Sequence, residues 1–118
     1  MPTINTQDLT GAALDWAVAK CEDKNGVLHD DGITRCIVIA APSGVYKGRY
    51  TPTVNWAQGG PIIEREGITL RCGLHGWDAE LEEFDAISHG PTALIAAMRC
   101  YVSTRLGPTV DVPQELLP

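Results

Sequence analysis

The chain has 118 residues, of which 44% are hydrophobic and 20% charged, and its formal net charge is −6. That is the length of one ordinary soluble domain, enough to bury a real core without staples. Nine Lys and Arg against fifteen Asp and Glu offer no basic face to displace counterions from phosphates, which excludes duplex nucleic acid as the main partner.

The spacing predicts a first helix over residues 11–21. Thr10 stands at its N-cap, and Leu9 and Leu14 are spaced for a hydrophobic staple. Leu14, Ala17, Val18 and Cys21 recur at i, i+3, i+4 and i+7 as one buried stripe. Trp16 lies off it, placed to pack on another element or to face a pocket. Residues 22–32 are polar, with Asn25-Gly26 and Asp31-Gly32 as turn signals, and read as a loop. Their aspartates lack the spacing and closing glutamate of a calcium loop.

Residues 35–40 are rich in β-branched residues and apolar after Arg35, which suits a central strand. Pro42-Ser43-Gly44 turns the chain into a second strand over residues 45–50. Residues 52–58 read as a short helical turn capped by Thr53 and broken by Gly59-Gly60. Pro61 then opens another short helix, which Gly67 closes in a left-handed conformation. Residues 68–72 alternate as a strand. Trp77, Ala79 and Leu81 alternate with Asp78, Glu80 and Glu82 as a half-buried antiparallel strand with a wet acidic face. With Glu83 and Asp85 these acids form a cluster. A DNA mimic would need more charge than −6, so a solvated strand face is the favoured reading.

Gly90-Pro91-Thr92 starts the strongest helix. Leu94, Ile95, Met98, Tyr101, Val102 and Arg105 share a side, and Gly107-Pro108 stops it. The tail from about residue 111 is expected to be extended and then frayed. The predicted order is α, β, β, short helices, β, β, α, with no room for crossovers. The expected fold is therefore α+β, a small, mainly antiparallel sheet of about four strands carrying two main helices. Leu14, Val18, Ile37, Ile39, Leu70, Leu94, Met98 and Val102 are its expected core.

Three blocks of this sequence resemble a phage and prophage family of unknown function, called NinX-like. The first is Leu9-Thr10-Gly11-Ala12-Ala13-Leu14-Asp15-Trp16-Ala17-Val18-Ala19. The second is Trp56-Ala57-Gln58-Gly59-Gly60-Pro61-Ile62-Ile63-Glu64-Arg65-Glu66-Gly67-Ile68. The third is Gly90-Pro91-Thr92-Ala93-Leu94-Ile95-Ala96-Ala97-Met98-Arg99-Cys100-Tyr101-Val102, followed by Leu106-Gly107. They cover about a third of the chain, in the family's order. The resemblance implies a small phage-encoded accessory protein, and it brings no catalytic residue and no established activity.

Cys21, Cys36, Cys72 and Cys100 show no zinc-knuckle or redox spacing. Cys72 and His75 have a spacing seen among metal ligands but lack obvious partners. No metal and no cofactor is expected. The start of the chain has no signal-peptide pattern, and no apolar run approaches the ~18 residues of a membrane span. A reduced protein of the host cell's cytoplasm, without membrane contact, is the expectation.

His29, His75 and His89 are isolated, so a catalytic Cys-His or carboxylate site would need tertiary assembly. Ligand binding is the leading functional reading. Gly59 and Gly60 permit close backbone approach, and Pro61 would leave amides at a helix start. Arg65, Arg71 and Arg99 offer forks for phosphate or carboxylate, and Tyr50 and Trp56 offer rings to stack a base. The structural alternative is a corner of the chain, with Arg65 paired to Glu82 or Glu83 and Trp56 in the core. The predicted ligand is small and anionic or nucleotide-like. The alternatives are a module that binds a host or phage protein, a twofold homodimer, and a small enzyme.

Overall fold

A computed structural model describes residues 1–41, 43 and 46–117. The described residues form three α-helices and eight strands, an α+β architecture. The chain begins with β1 (Thr3–Asn5), a 3-10 turn and α1 (Gly11–Cys21). A meander of β2 (Gly26–Asp30), β3 (Arg35–Ala40) and β4 (Tyr46–Arg49) follows. Next come α2 (Trp56–Glu66), the meander β5 (Thr69–Gly73), β6 (Gly76–Leu81) and β7 (Ala86–Gly90), and then α3 (Ala93–Leu106) and β8 (Thr109–Asp111).

The strands do not join into the single four-stranded sheet expected from the sequence. They make three separate antiparallel sheets, β1-β8, β2-β3-β4 and β5-β6-β7. The main helices number three, not two. The reason lies in strand pairs built from weak local signals. β2 occupies the stretch read as a loop, because Gly26–Asp30 pairs with Arg35–Ala40 and closes its hairpin with aspartates. Asp31 Oδ1 accepts from the N–H of Ile33 at 2.9 Å and of Thr34 at 2.6 Å. Val45 of the predicted second strand lies outside the described residues; β4 begins at Tyr46.

α3 is the hub. It packs against β6 and β7 and also touches α1 and α2. Residues on nearly all of its sides are buried, including Leu94, Ala97, Met98, Cys100, Tyr101 and Val102. A helix surrounded in this way shows little amphipathicity, so its one-sided stripe is only part of its contact surface. Thr92 caps it, its Oγ1 accepting from the N–H of Ile95 at 3.2 Å. α1 keeps the predicted face, with Leu14, Ala17 and Val18 buried. Ile39 and Leu70, expected in the core, are only half-buried and pack against its edge. After β8, Val112 and Leu116 are buried against the body.

The central glycine-rich block is the main correction. Gly59, Gly60 and Pro61 neither break a helix nor start one; α2 runs through all three. Asn55, not Thr53, caps it, accepting from the N–H of Ala57 at 2.9 Å. Gly67 ends it at φ 71°, left-handed as expected. Pro61 sacrifices an interior hydrogen bond, which capping at both ends and the burial of Ile62 offset. Gly59 answers a packing demand. A Cβ there would lie 2.6 Å from both Leu94 Cδ2 and the Pro52 carbonyl oxygen. The glycine lets α2 approach α3 and the preceding loop.

Candidate functional site

A concavity of about 400 Å³ opens where the turn after α1, the end of β4 and one face of α2 meet. Glu22 and Lys24 come from the turn, Arg49 and Tyr50 from β4 and its extension, and Gln58, Pro61, Ile62 and Arg65 from α2. Local hydrogen bonds fix each wall. Lys24 N–H donates to Ala19 O at 2.9 Å, closing α1. Tyr50 N–H donates to Ile37 O at 2.8 Å, extending the sheet past β4. Gln58 joins β4 to α2 by donating Nε2 to Arg49 O and accepting from Thr51 N–H, both at 2.7 Å. Asp15, buried in α1, accepts from Thr53 N–H at 3.0 Å and holds the loop ahead of α2.

Arg65 is the most heavily engaged cation. Its Nη1 and Nη2 donate to Glu22 Oε1 and Oε2 at 2.9 and 2.8 Å, a bidentate pair, and its Nε donates to Glu66 at 2.8 Å. Glu66 also takes a hydrogen bond from Arg105 at 2.9 Å. The Tyr101 hydroxyl donates to Glu22 Oε2 at 2.5 Å, and the Arg65 and Arg105 guanidinium carbons sit 5.7 and 5.2 Å from its ring centre. The network ties together the C-terminal ends of α1, α2 and α3. Hydrogen bonds from Arg65, then from Tyr101, hold the Glu22 carboxyl below its usual range against the opposing effect of burial. Arg65 hydrogen bonds do the same for Glu66. The sequence-based partner of Arg65, Glu82 or Glu83, is wrong, because Glu22 reaches it from the neighbouring helix.

Lys24 and Arg49 make none of this network's hydrogen bonds, although the charge of Lys24 also helps to lower the Glu22 pKa. Neither belongs to an ion pair among the described residues. Lys24 Nζ sits 5.8 Å from the Tyr50 ring centre. Tyr50 is only 6% exposed, so its ring has no open face for a base. Burial, followed by the charges of Glu22 and Asp15, pushes its hydroxyl up to about 12.

The seven residues singled out from the sequence therefore separate. Tyr50 and Arg65 share the concavity. Gly59 is buried at the α2–α3 contact, and a Cβ on Gly60 would meet the Trp56 ring at 3.7 Å. Trp56 is 55% exposed and lines a different hollow of about 230 Å³ with Thr53, Val54, Thr92, Ala93 and Leu94. Arg71 pairs with Glu80 at 2.7 Å on the sheet of β5, β6 and β7. Arg99 donates to Leu9 O and His89 O, each at 2.8 Å, as a tie between segments. The block's amides form no open anion site either, because Gly59 N–H is used within the helix, donating to Asn55 O at 2.9 Å. Glu22, Lys24, Arg49 and Gln58 escaped sequence reasoning. Only Glu22 and Lys24, flanking Asp23 right after a helix, carried any signal.

A third hollow, of about 320 Å³, lies at the β5–β6 hairpin beside His75, Asp78 and His89. His89 Nδ1 contacts Asp78 Oδ1 there, with the His89 side chain largely open to solvent and that of Asp78 about half exposed. No group of three or more His, Cys, Asp or Glu side chains among the described residues is placed to hold a metal ion. Burial pushes the thiols of Cys21 and Cys100 up to about 12 and about 11, which makes them poor nucleophiles.

No helix among the described residues is long and apolar enough to cross a membrane. No curated protein matches the chain. The family model described as Bacteriophage P22, NinX matches residues 5–105. That span contains all three resembling blocks and most of the chain, which belongs to this phage NinX family.

Proposed function

We propose that this chain is a phage accessory protein of the host cytoplasm that binds a small anionic ligand, without catalysis, in the concavity between α1, β4 and α2. The carrying observation is that Lys24, Arg49 and Arg65 converge on one hollow, two of them outside every ion pair among the described residues. An arginine fork and a lysine ammonium over a partly apolar wall of Ile39, Pro61 and Ile62 suit an anion with a small organic body. Arg71 and Arg99 have no part in this reading, because each is used elsewhere. Isothermal titration with inorganic phosphate, pyrophosphate and citrate tests it. Saturable binding of at least one anion, weakened tenfold or more by Lys24→Met/Arg49→Met, supports the reading. Binding unaffected by that double substitution contradicts it.

A second reading has its own observation. Val54 is 73% and Trp56 55% exposed beside one hollow, an apolar surface suited to a host or phage protein. Trp56→Ala would abolish such an association and leave anion binding intact.

A further inference from the structure

From the make-up of the concavity we infer the class of ligand: the phosphate monoester of a small polyol, such as a sugar phosphate, with its phosphate on Lys24 and Arg49 and a hydroxyl on Glu22. The inference rests on the anion-binding reading and narrows it. Four observations support it.

The first is charge. Among the described residues, three cationic side chains and one carboxylate line the hollow, leaving two net positive charges. A phosphate monoester carries about −1.5 to −2 at pH 7. Arg65 is already forked onto Glu22, so the charge left open belongs to Lys24 and Arg49.

The second is Glu22 itself. Its carboxylate takes hydrogen bonds from Arg65 Nη1 and Nη2 and from Tyr101, and it is held ionised. An ionised carboxylate only accepts, and its two oxygens have room for about four hydrogen bonds, of which three are used. A bare anion in this hollow meets a repelling wall. A ligand that also carries a donor turns that wall into a contact. Hydroxyls fit this role, and a plain dicarboxylate does not.

The third is that no described side chain offers an aromatic platform in the hollow. Tyr50 is buried with Lys24 above it, and Trp56 lies in another hollow. Stacking is what would reward a nucleobase. The fourth is size. About 400 Å³ is at the lower end of small-ligand sites, which run from roughly 300 to 1,000 Å³.

The test is titration calorimetry on the full chain with ribose 5-phosphate, inorganic phosphate, ribose and adenosine monophosphate. Ribose 5-phosphate should bind at least tenfold tighter than inorganic phosphate or ribose, and no weaker than the nucleotide. Lys24→Met/Arg49→Met should weaken ribose 5-phosphate and phosphate alike, at least tenfold. Glu22→Gln should erase the preference for the sugar phosphate and leave phosphate binding equal or tighter. Because Glu22→Gln loosens Arg65, its circular dichroism is checked first. The double variant removes none of that network's hydrogen bonds and carries the anion arm alone. Equal binding of phosphate and ribose 5-phosphate, both dependent on Lys24 and Arg49, overturns the ligand class and leaves the anion site standing. A nucleotide preferred tenfold over ribose 5-phosphate does the same. Binding of none of the four, or binding indifferent to Lys24 and Arg49, overturns the site as well.

Discussion

Asp15 is a carboxylate that the fold keeps at a cost, and replacing it should stabilise the protein at neutral pH. It is 4% exposed on α1 and accepts from Thr53. Desolvation raises its pKa from 3.8 to about 6, and hydrogen bonds from Thr53 only partly oppose this. At about 1.4 kcal/mol per pKa unit, keeping Asp15 ionised costs the folded state roughly 3 kcal/mol. The folded pKa lies above the unfolded one, so the stability from holding the proton is complete below pH 3.8. It is lost as pH rises through about 6. Asp15→Asn keeps an oxygen facing the Thr53 N–H and removes the charge. It forfeits about 1 kcal/mol through the weaker acceptor. The variant should therefore be more stable than wild type by about 1–3 kcal/mol at pH 8, and the advantage should vanish near pH 4. Urea denaturation at one-unit steps from pH 4 to pH 8, read by circular dichroism, gives the difference between the two proteins. Other carboxylates titrate in both and cancel. Parallel stability curves across this range would refute the reasoning, as would a variant that is less stable at pH 8.

The remaining predictions test packing. Gly59→Ala should destabilise by about 1–3 kcal/mol, because its Cβ meets the Pro52 backbone and Leu94 at 2.6 Å; a neutral effect on urea denaturation would show that α2 can shift away. Leu94→Ala removes a buried side chain at the same contact and should cost ~2–5 kcal/mol; an unchanged melting temperature would show that α3 is not docked there. Tyr101→Phe deletes the hydroxyl between Glu22 and Arg65 and should cost about 1–2 kcal/mol. Its effect should shrink as pH falls below the ordinary glutamate range, since Glu22 has a depressed pKa and the stability it contributes is lost as pH falls through it.

Sequence reading worked best where one local pattern decided the structure. α1, α3 and the left-handed close at Gly67 are such cases, because apolar spacing and, at α3 and Gly67, capping residues act within a few positions; Thr10 at the start of α1 makes no side-chain capping bond. β2 was missed because Gly26–Asp30 carries only Val27 and Leu28 between turn-forming residues, and only its partner β3 makes it a strand. The splitting of the sheet was hidden for a similar reason, since pairing between distant segments such as β1 and β8 leaves no local signature. In the central block, glycine and proline signals pointed to a break. The helix persists because Gly59 is wanted for its missing side chain, not for its conformational freedom. For the candidate site, Tyr50 and Arg65 were legible as residue types with suitable chemistry. Their convergence with Lys24 and Arg49 is tertiary, and so is the capture of Arg65 by Glu22.

The most direct test of the central claim is a titration of uniformly ¹⁵N-labelled protein with ribose 5-phosphate, followed by amide chemical shifts. Saturable shifts should concentrate at Glu22, Lys24, Gly48, Arg49 and Gln58, around the concavity. Shifts confined to Val54, Trp56 and Thr92, or no saturable shift at millimolar ligand (about 4 kcal/mol of binding), would contradict it.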